Sequence, residues 1–163
     1  MQYSYCPKCG AKYGEQNKPN QFACRQCGFV FYVNSKPTAS TLIIKDSKVL
    51  LGKRVIEPAK GMWDVIGGFL DLGELPEDGA KREAKEETGL DVKIESLVGF
   101  FVDTYGDTGD VTLNIYYTAS VVGGEMRAQD DVEELRWFTI DEIPKEIAFK
   151  NSRDMLDVWL AKK

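Results

Sequence analysis

The stretch Gly67-Gly68-Phe69-Leu70-Asp71-Leu72-Gly73-Glu74 runs through Leu75 into Pro76-Glu77-Asp78-Gly79-Ala80-Lys81-Arg82-Glu83-Ala84-Lys85-Glu86-Glu87-Thr88-Gly89. Its second half is predicted to be a helix over 76–88. Pro76 has the fixed φ of a first helical position. Glu77 and Asp78 favour the positive end of the helix dipole, and Gly89 is a natural stop. At 100° per residue, Glu83, Glu86 and Glu87 share an arc of about 100°. Lys81 and Lys85 fall on the opposite side, and Gly79 leaves space on the acidic side. A helix choosing stability alone would interleave the two signs, because like charges at i,i+4 cost roughly 0.2–0.5 kcal/mol per pair. A solvated charged face is one meaning of this pattern. The other is a set of hard oxygen ligands for Mg²⁺ or Mn²⁺, and the glycine loop in front of the helix favours the second.

Outward from this stretch, strands are predicted at 39–45, 48–55, 63–66, 91–103, 111–122 and 134–140. Runs such as Thr41-Leu42-Ile43-Ile44 are β-branched and aliphatic. A second helix is predicted near 151–162. Strands interleaved with a few helices imply an α/β layered domain. The chain has 163 residues, 43% hydrophobic and 29% charged, which is ordinary for a globular protein and enough for a sizeable core. Its longest apolar run, Phe29 to Val33, is too short to span a membrane. No signal-peptide pattern opens the chain, and a cytoplasmic location is expected.

The chain has no histidine. That excludes Ser-His-Asp and Cys-His nucleophile systems, a histidine base and any histidine metal ligand. Acid–base work falls to carboxylates, Lys, Tyr or Cys. The net charge of −5 is a poor footprint for long nucleic acid, and none is expected as a partner. It suits a protein that recruits divalent cations.

The four cysteines form two C-x-x-C pairs, Cys6-Pro7-Lys8-Cys9 and Cys24-Arg25-Gln26-Cys27, each followed by glycine. Four thiolates in two tight turns suit a closed tetrahedral Zn²⁺ site, structural and not catalytic. A short β-hairpin is expected to fill the spacer between the pairs. Residues 1–33 carry a net +3 and the remainder −8; four thiolates with Zn²⁺ would cancel most of that +3. The organisation expected is a zinc ribbon over 1–33, a linker over 34–38, broken by Pro37, and a main domain over 39–163.

Gly68, Glu74, Arg82, Glu83, Glu86, Glu87 and Gly89 have the spacing of the 23-residue signature of the Nudix family, and the chain resembles that family. Gly61 to Phe69 resembles the segment leading into the signature, Glu134-Leu135-Arg136-Trp137-Phe138 a later strand beside the site, and Ile147-Ala148-Phe149 the approach to the last helix. The cysteine segment resembles the zinc-ribbon branch, which includes NADH pyrophosphatases. The resemblance covers nearly the whole chain. It implies an α/β/α sandwich with a mixed sheet, and metal-dependent hydrolysis of the diphosphate bond of a nucleoside diphosphate linked to another group. ADP-ribose-like substrates are favoured. NADH or NTP cleavage is the alternative, and a Nudix-fold ligand sensor is the alternative of another class. Residues 97–122 hold no proline and no tryptophan, unlike the motif that follows the signature in NADH pyrophosphatases. A homodimer is implied by family habit.

Carried over by position, the resemblance implies Glu83, Glu86, Glu87 and the Gly67 carbonyl as Mg²⁺ or Mn²⁺ ligands. It implies Glu86, Glu87 and Glu134 as catalytic carboxylates, with Glu134 also a candidate ligand. Gly68, Glu74 and Arg82 hold the loop against the helix. Aromatic residues that could stack on a base are Phe31, Phe101, Tyr105 and Tyr117. Strand alternation allows at most one side chain of Phe100-Phe101, and one of Tyr116-Tyr117, to face the site.

Overall fold

A computed structural model describes residues 3–14, 18 and 20–162. The chain divides into two compact units, Met1–Ser35 and Lys36–Lys163.

In the first unit, β1 (Gln21–Ala23) pairs antiparallel with β2 (Val30–Tyr32). This hairpin encloses the second cysteine pair and does not fill the spacer between the pairs; residues 15–17 and 19 of that spacer lie outside the described residues. The two cysteine turns are built alike. Gly10 N–H donates to the Cys6 carbonyl at 2.8 Å and Gly28 N–H to that of Cys24 at 2.9 Å. Both glycines are left-handed, with φ 73° and 71°, a conformation that costs glycine nothing. Edge-on contacts of Tyr3 with Phe22 and Phe31 support the hairpin.

The second unit is a mixed sheet between two helices. Strand β3 (Lys36–Lys45) turns through Asp46 and Ser47, both at positive φ, into β4 (Lys48–Arg54). That is the two-residue hairpin whose twist suits the strands. The two strands pair only beside this turn, at Ile44↔Val49 and Lys45↔Lys48, and then part. The segment Trp63–Phe69 fills the fork. Its β5 (Trp63–Asp64) pairs with β4, and its β6 (Ile66–Phe69) pairs with β3. The single short strand expected over 63–66 is therefore two strands with Val65 between them, which lets one segment change partners.

Helix α1 (Pro76–Thr88) follows, then β7 (Leu90–Thr104), β8 (Val111–Gly124), β9 (Val132–Phe138) and α2 (Lys150–Leu160). Strand β8 runs parallel to β3 and antiparallel to β7; β9 pairs with β4. Lys36, Pro37 and Thr38 are the first rungs of the β3–β8 pairing. The linker expected over 34–38 is thus shorter, because Pro37 is tolerated at the start of a strand.

One face of the sheet packs Ile43, Leu50, Ile66 and Ala119 against Ala84 of α1. The other packs Leu42, Leu51, Tyr116 and Phe138 against Met155, Leu156 and Trp159 of α2. This is the α/β/α layering, and each large aliphatic buried here contributes about 1.5–3 kcal/mol.

Candidate active site in the fork of the sheet

The glycines of β6 decide how closely α1 approaches the fork. A Cβ on Gly68 would lie 2.6 Å from Glu83 Oε1. One on Gly67 would lie 2.3 Å from Ser40 Oγ and 2.4 Å from its Cα. Gly67 also sits at φ 151°, where side chains are strained. The bare backbone brings Gly67 N–H to Glu87 Oε2 at 3.0 Å. Behind this contact lies a cavity of about 340 Å³ lined by Gly67, Glu83, Glu86 and Glu87, with Asp64, Asp130 and Asp131.

Glu87 is only 6% exposed. Burial pushes its carboxyl well above the ordinary range, and the nearby Glu83 charge adds to this; the Gly67 N–H opposes both. Among the described residues Glu87 has no ion pair. Burial raises Glu83 as well, against the pull of Arg82. A buried carboxylate without a cation is costly, so this donor set fits a divalent cation.

The acids are not gathered to ligand distance. Among the described residues the four cysteines are the only group of three or more ligand atoms all within 4.8 Å. Arg82 holds two of them. Its Nη1 donates to Glu83 Oε1 at 2.8 Å and to Glu86 Oε2 at 2.9 Å. Its other nitrogens donate to both oxygens of Glu74 at 2.8 Å and to the Phe69 carbonyl. The Arg82 guanidinium holds Glu74 down to about 2. Glu74 and Arg82 thus clamp the loop to the helix, as their positions imply. A cation at this wall would compete with Arg82 for Glu83 and Glu86.

Glu134 is placed elsewhere. It sits exposed on β9, paired across to Lys53 of β4, and does not line the cavity. Neighbouring Glu133 bonds Lys53 at 3.0 Å. The acids that do reach the cavity are Asp130 and Asp131, one turn of chain earlier. The 125–131 loop caps the C-terminus of α1: Arg127 N–H donates to the Thr88 carbonyl at 2.8 Å and Gln129 N–H to that of Glu87 at 3.0 Å. The cap swings the two aspartates over the fork before β9 begins at Val132. Burial raises Asp131, and Asp130 adds to it.

Of the aromatic candidates, Tyr105 lines the cavity. Tyr117 is buried with Ala39, Ala80 and Ile115 under α1. Phe101 packs edge-on against Tyr116 in the core on the α2 side. Phe31 belongs to the N-terminal unit, against Tyr3. These three are packing residues. Tyr116, on the opposite face from Tyr117, does border the cavity and bonds Asn151 and Ser152 through its hydroxyl.

Sequence reading missed Asp64, Arg54 and Phe149. Asp64 is 8% exposed, and burial lifts it to about 6 despite the Ser152 hydroxyl and Val65 N–H. Arg54 lies over the Phe149 ring at 5.0 Å. A lone aspartate after a tryptophan carries no periodic signal; only the partner change inside the fork places it at the cavity.

In the N-terminal unit, Cys6 Sγ and Cys27 Sγ are 3.8 Å apart and Cys9 Sγ and Cys24 Sγ 3.6 Å. A tetrahedron with bonds of about 2.3 Å has edges of about 3.8 Å, so the cluster is compatible with zinc. The Cys27 backbone N–H is the main group holding the Cys24 thiol below its ordinary value.

Comparison with known proteins agrees with this fold. A family model described as the NUDIX domain matches residues 35–158. An ADP-ribose pyrophosphatase of Methanocaldococcus jannaschii is 36% identical over 126 residues, covering 77% of this chain and 74% of the relative. A protein named NAD-capped RNA hydrolase NudC, of Pseudomonas aeruginosa, is 28% identical over 161 residues, 98% of this chain and 56% of the relative. The chain therefore spans about half the length of the NudC relatives it matches. A solved NUDIX hydrolase from Nitrosomonas europaea superposes with a TM-score of 0.82 at 26% identity, over 99% of this chain and 92% of that one. The chain belongs to the Nudix family of pyrophosphohydrolases. No helix among the described residues is long and apolar enough to cross a membrane.

Proposed function

We propose that the chain hydrolyses the diphosphate bond of a nucleoside diphosphate linked to a second group, with ADP-ribose the favoured substrate. The observation that carries this reading is the buried Glu87 at the diglycine strand, bracketed by Glu83 and Glu86 in one cavity. A diphosphate and this acidic wall repel each other unless cations lie between them. Glu83, Glu86, Glu87 and the Gly67 carbonyl would hold Mg²⁺ or Mn²⁺. Such cations supply charge neutralisation for the phosphates and a lowered pKa for water. Glu87 stays fixed by the Gly67 N–H, while Glu83 and Glu86 turn from Arg82. Asp130 and Asp131, on a loop anchored to α1, replace Glu134 as the carboxylates placed to accept the water proton. The Cys6, Cys9, Cys24 and Cys27 cluster holds structural Zn²⁺, and the chain works as a homodimer in the cytoplasm.

The test is turnover of a panel with Mg²⁺: ADP-ribose, NADH, ADP-sugars, diadenosine polyphosphates and NTPs. ADP-ribose is expected to give AMP and ribose 5-phosphate. The match to a relative named NAD-capped RNA hydrolase, over 98% of this chain and 56% of that one, supports NADH as the second arm. Tight binding with no turnover of any compound would contradict the reading and leave a ligand sensor.

A further inference from the structure

The two cysteine turns of the N-terminal unit repeat one another. Cys6 N–H donates to the Ala11 carbonyl at 2.8 Å, and Cys24 N–H donates to the Phe29 carbonyl at 2.8 Å. The first thiol of each turn is buried, Cys6 at 2% exposure and Cys24 at 4%. Each accepts from two backbone N–H groups, those of Cys9 and Lys8 at Cys6 and those of Cys27 and Gln26 at Cys24. Two residues past the Ala11 and Phe29 carbonyls the turns differ. Tyr13 follows Cys6 at the spacing at which Phe31 follows Cys24. One turn therefore carries a phenol where the other carries the same ring without its hydroxyl.

Tyr13 is tied to the first turn by its backbone. Its N–H donates to the Ser4 carbonyl at 2.9 Å, next to the antiparallel bridge of Tyr5 with Lys12. Its ring packs on buried Phe22 at 5.6 Å, two residues before Cys24. Its hydroxyl is buried and has no hydrogen-bond partner among the described residues. A buried hydroxyl left in that state is costly. Burial pushes the phenol up to about 12, and the groups that add to it are sulfurs, Cys6 first and then Cys24 and Cys27. The proton therefore stays on the oxygen, and the hydroxyl remains a donor. A neutral thiol is a weak acceptor for it. A thiolate bound to Zn²⁺ is ionised, and bonds to ionised acceptors are the strong ones.

Resting on the reading above that the four cysteines hold structural Zn²⁺, we propose that Tyr13 is a positioning residue of the zinc site, its hydroxyl donating to the Cys6 thiolate. The Cys24 turn has only Phe31 at the equivalent place. The bond draws charge from one sulfur of the four. Cys6 is then the less nucleophilic of the two buried thiolates, and the metal is held more tightly than by the cysteines alone.

The experiment uses the full chain loaded with zinc. It is treated with limiting iodoacetamide, and the singly alkylated fraction is mapped by mass spectrometry. Cys24 is expected to be marked several-fold more than Cys6, although both are buried. Tyr13→Phe keeps the ring on Phe22 and removes only the hydroxyl. In that variant Cys6 and Cys24 should be marked equally, and zinc affinity, measured by competition with a chromophoric chelator, should fall about tenfold or more. With Co²⁺ in place of zinc, the thiolate-to-metal charge-transfer band of the variant should lie at lower energy than that of the wild type. Looser packing alone would not move this band. Equal marking of Cys6 and Cys24 in the wild type, a measurement that needs no variant, would overturn the inference while leaving the zinc reading intact. So would an unmoved band with unchanged affinity in Tyr13→Phe. A chain that binds no zinc would remove the zinc reading and this one with it.

Discussion

Glu87 carries opposing demands in one side chain. It is buried without an ion pair, which costs stability, and it stands where a cation would be held, which serves the chemistry. Replacing it by glutamine removes the charge but keeps an oxygen for the Gly67 N–H. Glu87→Gln is expected to lower kcat on the order of 10²-fold, by analogy with other charge-stabilising groups. Without divalent cation at pH 7 it should also melt no lower than wild type, because the buried charge is gone. A near-normal rate would take Glu87 out of the site. Asp64 makes a second residue-level prediction. Its folded carboxyl titrates near 6 against 3.8 as the reference value. The folded state therefore holds this proton more tightly. That stability is present below about pH 4 and is lost as pH rises through 6, by about 3 kcal/mol. Unfolding free energies of wild type and Asp64→Asn, compared at pH 4.5 and 7, should show wild type losing ground as pH rises. Parallel curves would show that Asp64 does not titrate in this window. The glutamates of α1 were legible from sequence because a helix converts spacing into direction. Glu134 lies off the cavity: the resemblance of 134–138 to a strand beside the site says nothing of where that strand begins. The three bases for that start, the Arg127, Gln129 and Val132 backbone bonds, leave no trace in residue type.

At the scale of elements, α1 spans the predicted 76–88 without adjustment. Proline, acidic residues and glycine mark its ends by local chemistry alone. Its N-cap is Leu75, 67% exposed and with no side-chain cap. Leu75→Ser should give the first-turn N–H groups of α1 a side-chain acceptor that Leu75 lacks and stabilise the protein by about 1 kcal/mol in denaturant unfolding. No gain would mean that the Leu75 side chain is held by something other than the helix end. Strand β6 makes the opposite prediction. Gly67→Ala drives a methyl into Ser40 and the Ala39 carbonyl, and should destabilise by at least about 2 kcal/mol. An unchanged melting temperature would refute the close approach of β6 to β3. The fork itself was not legible: a seven-residue segment that pairs with β4 and then with β3 reads locally as one short strand. The N-terminal hairpin was misplaced for a related reason. Its strands are three residues each, too short for alternation to register.

For the whole molecule, the two units answer to different forces. The C-terminal unit has two packed faces of aliphatic core. The N-terminal unit has aromatic contacts and a cluster of four thiols compatible with zinc, and small units of this composition commonly draw folding energy from metal. Elemental analysis is expected to give one zinc per chain. Chelation should release the 1–35 amides to fast hydrogen exchange while those of β3, β8 and α1 stay protected. Protection unchanged in both units after zinc removal would mean that the cysteine cluster is not what holds the first unit. The division into units was visible in charge and cysteine content, since both change sharply near Asn34. The proposed hydrolysis needs cations that gather Glu83, Glu86 and Glu87 beside Gly67. The most direct measurement is anomalous diffraction from a crystal soaked in Mn²⁺ with a non-hydrolysable ADP-ribose analogue. A manganese peak bonded to Glu83 and Glu87, with Glu86 turned away from Arg82, is the result predicted. A soaked crystal with the analogue bound, no peak at these oxygens and the Arg82 bonds intact would contradict it.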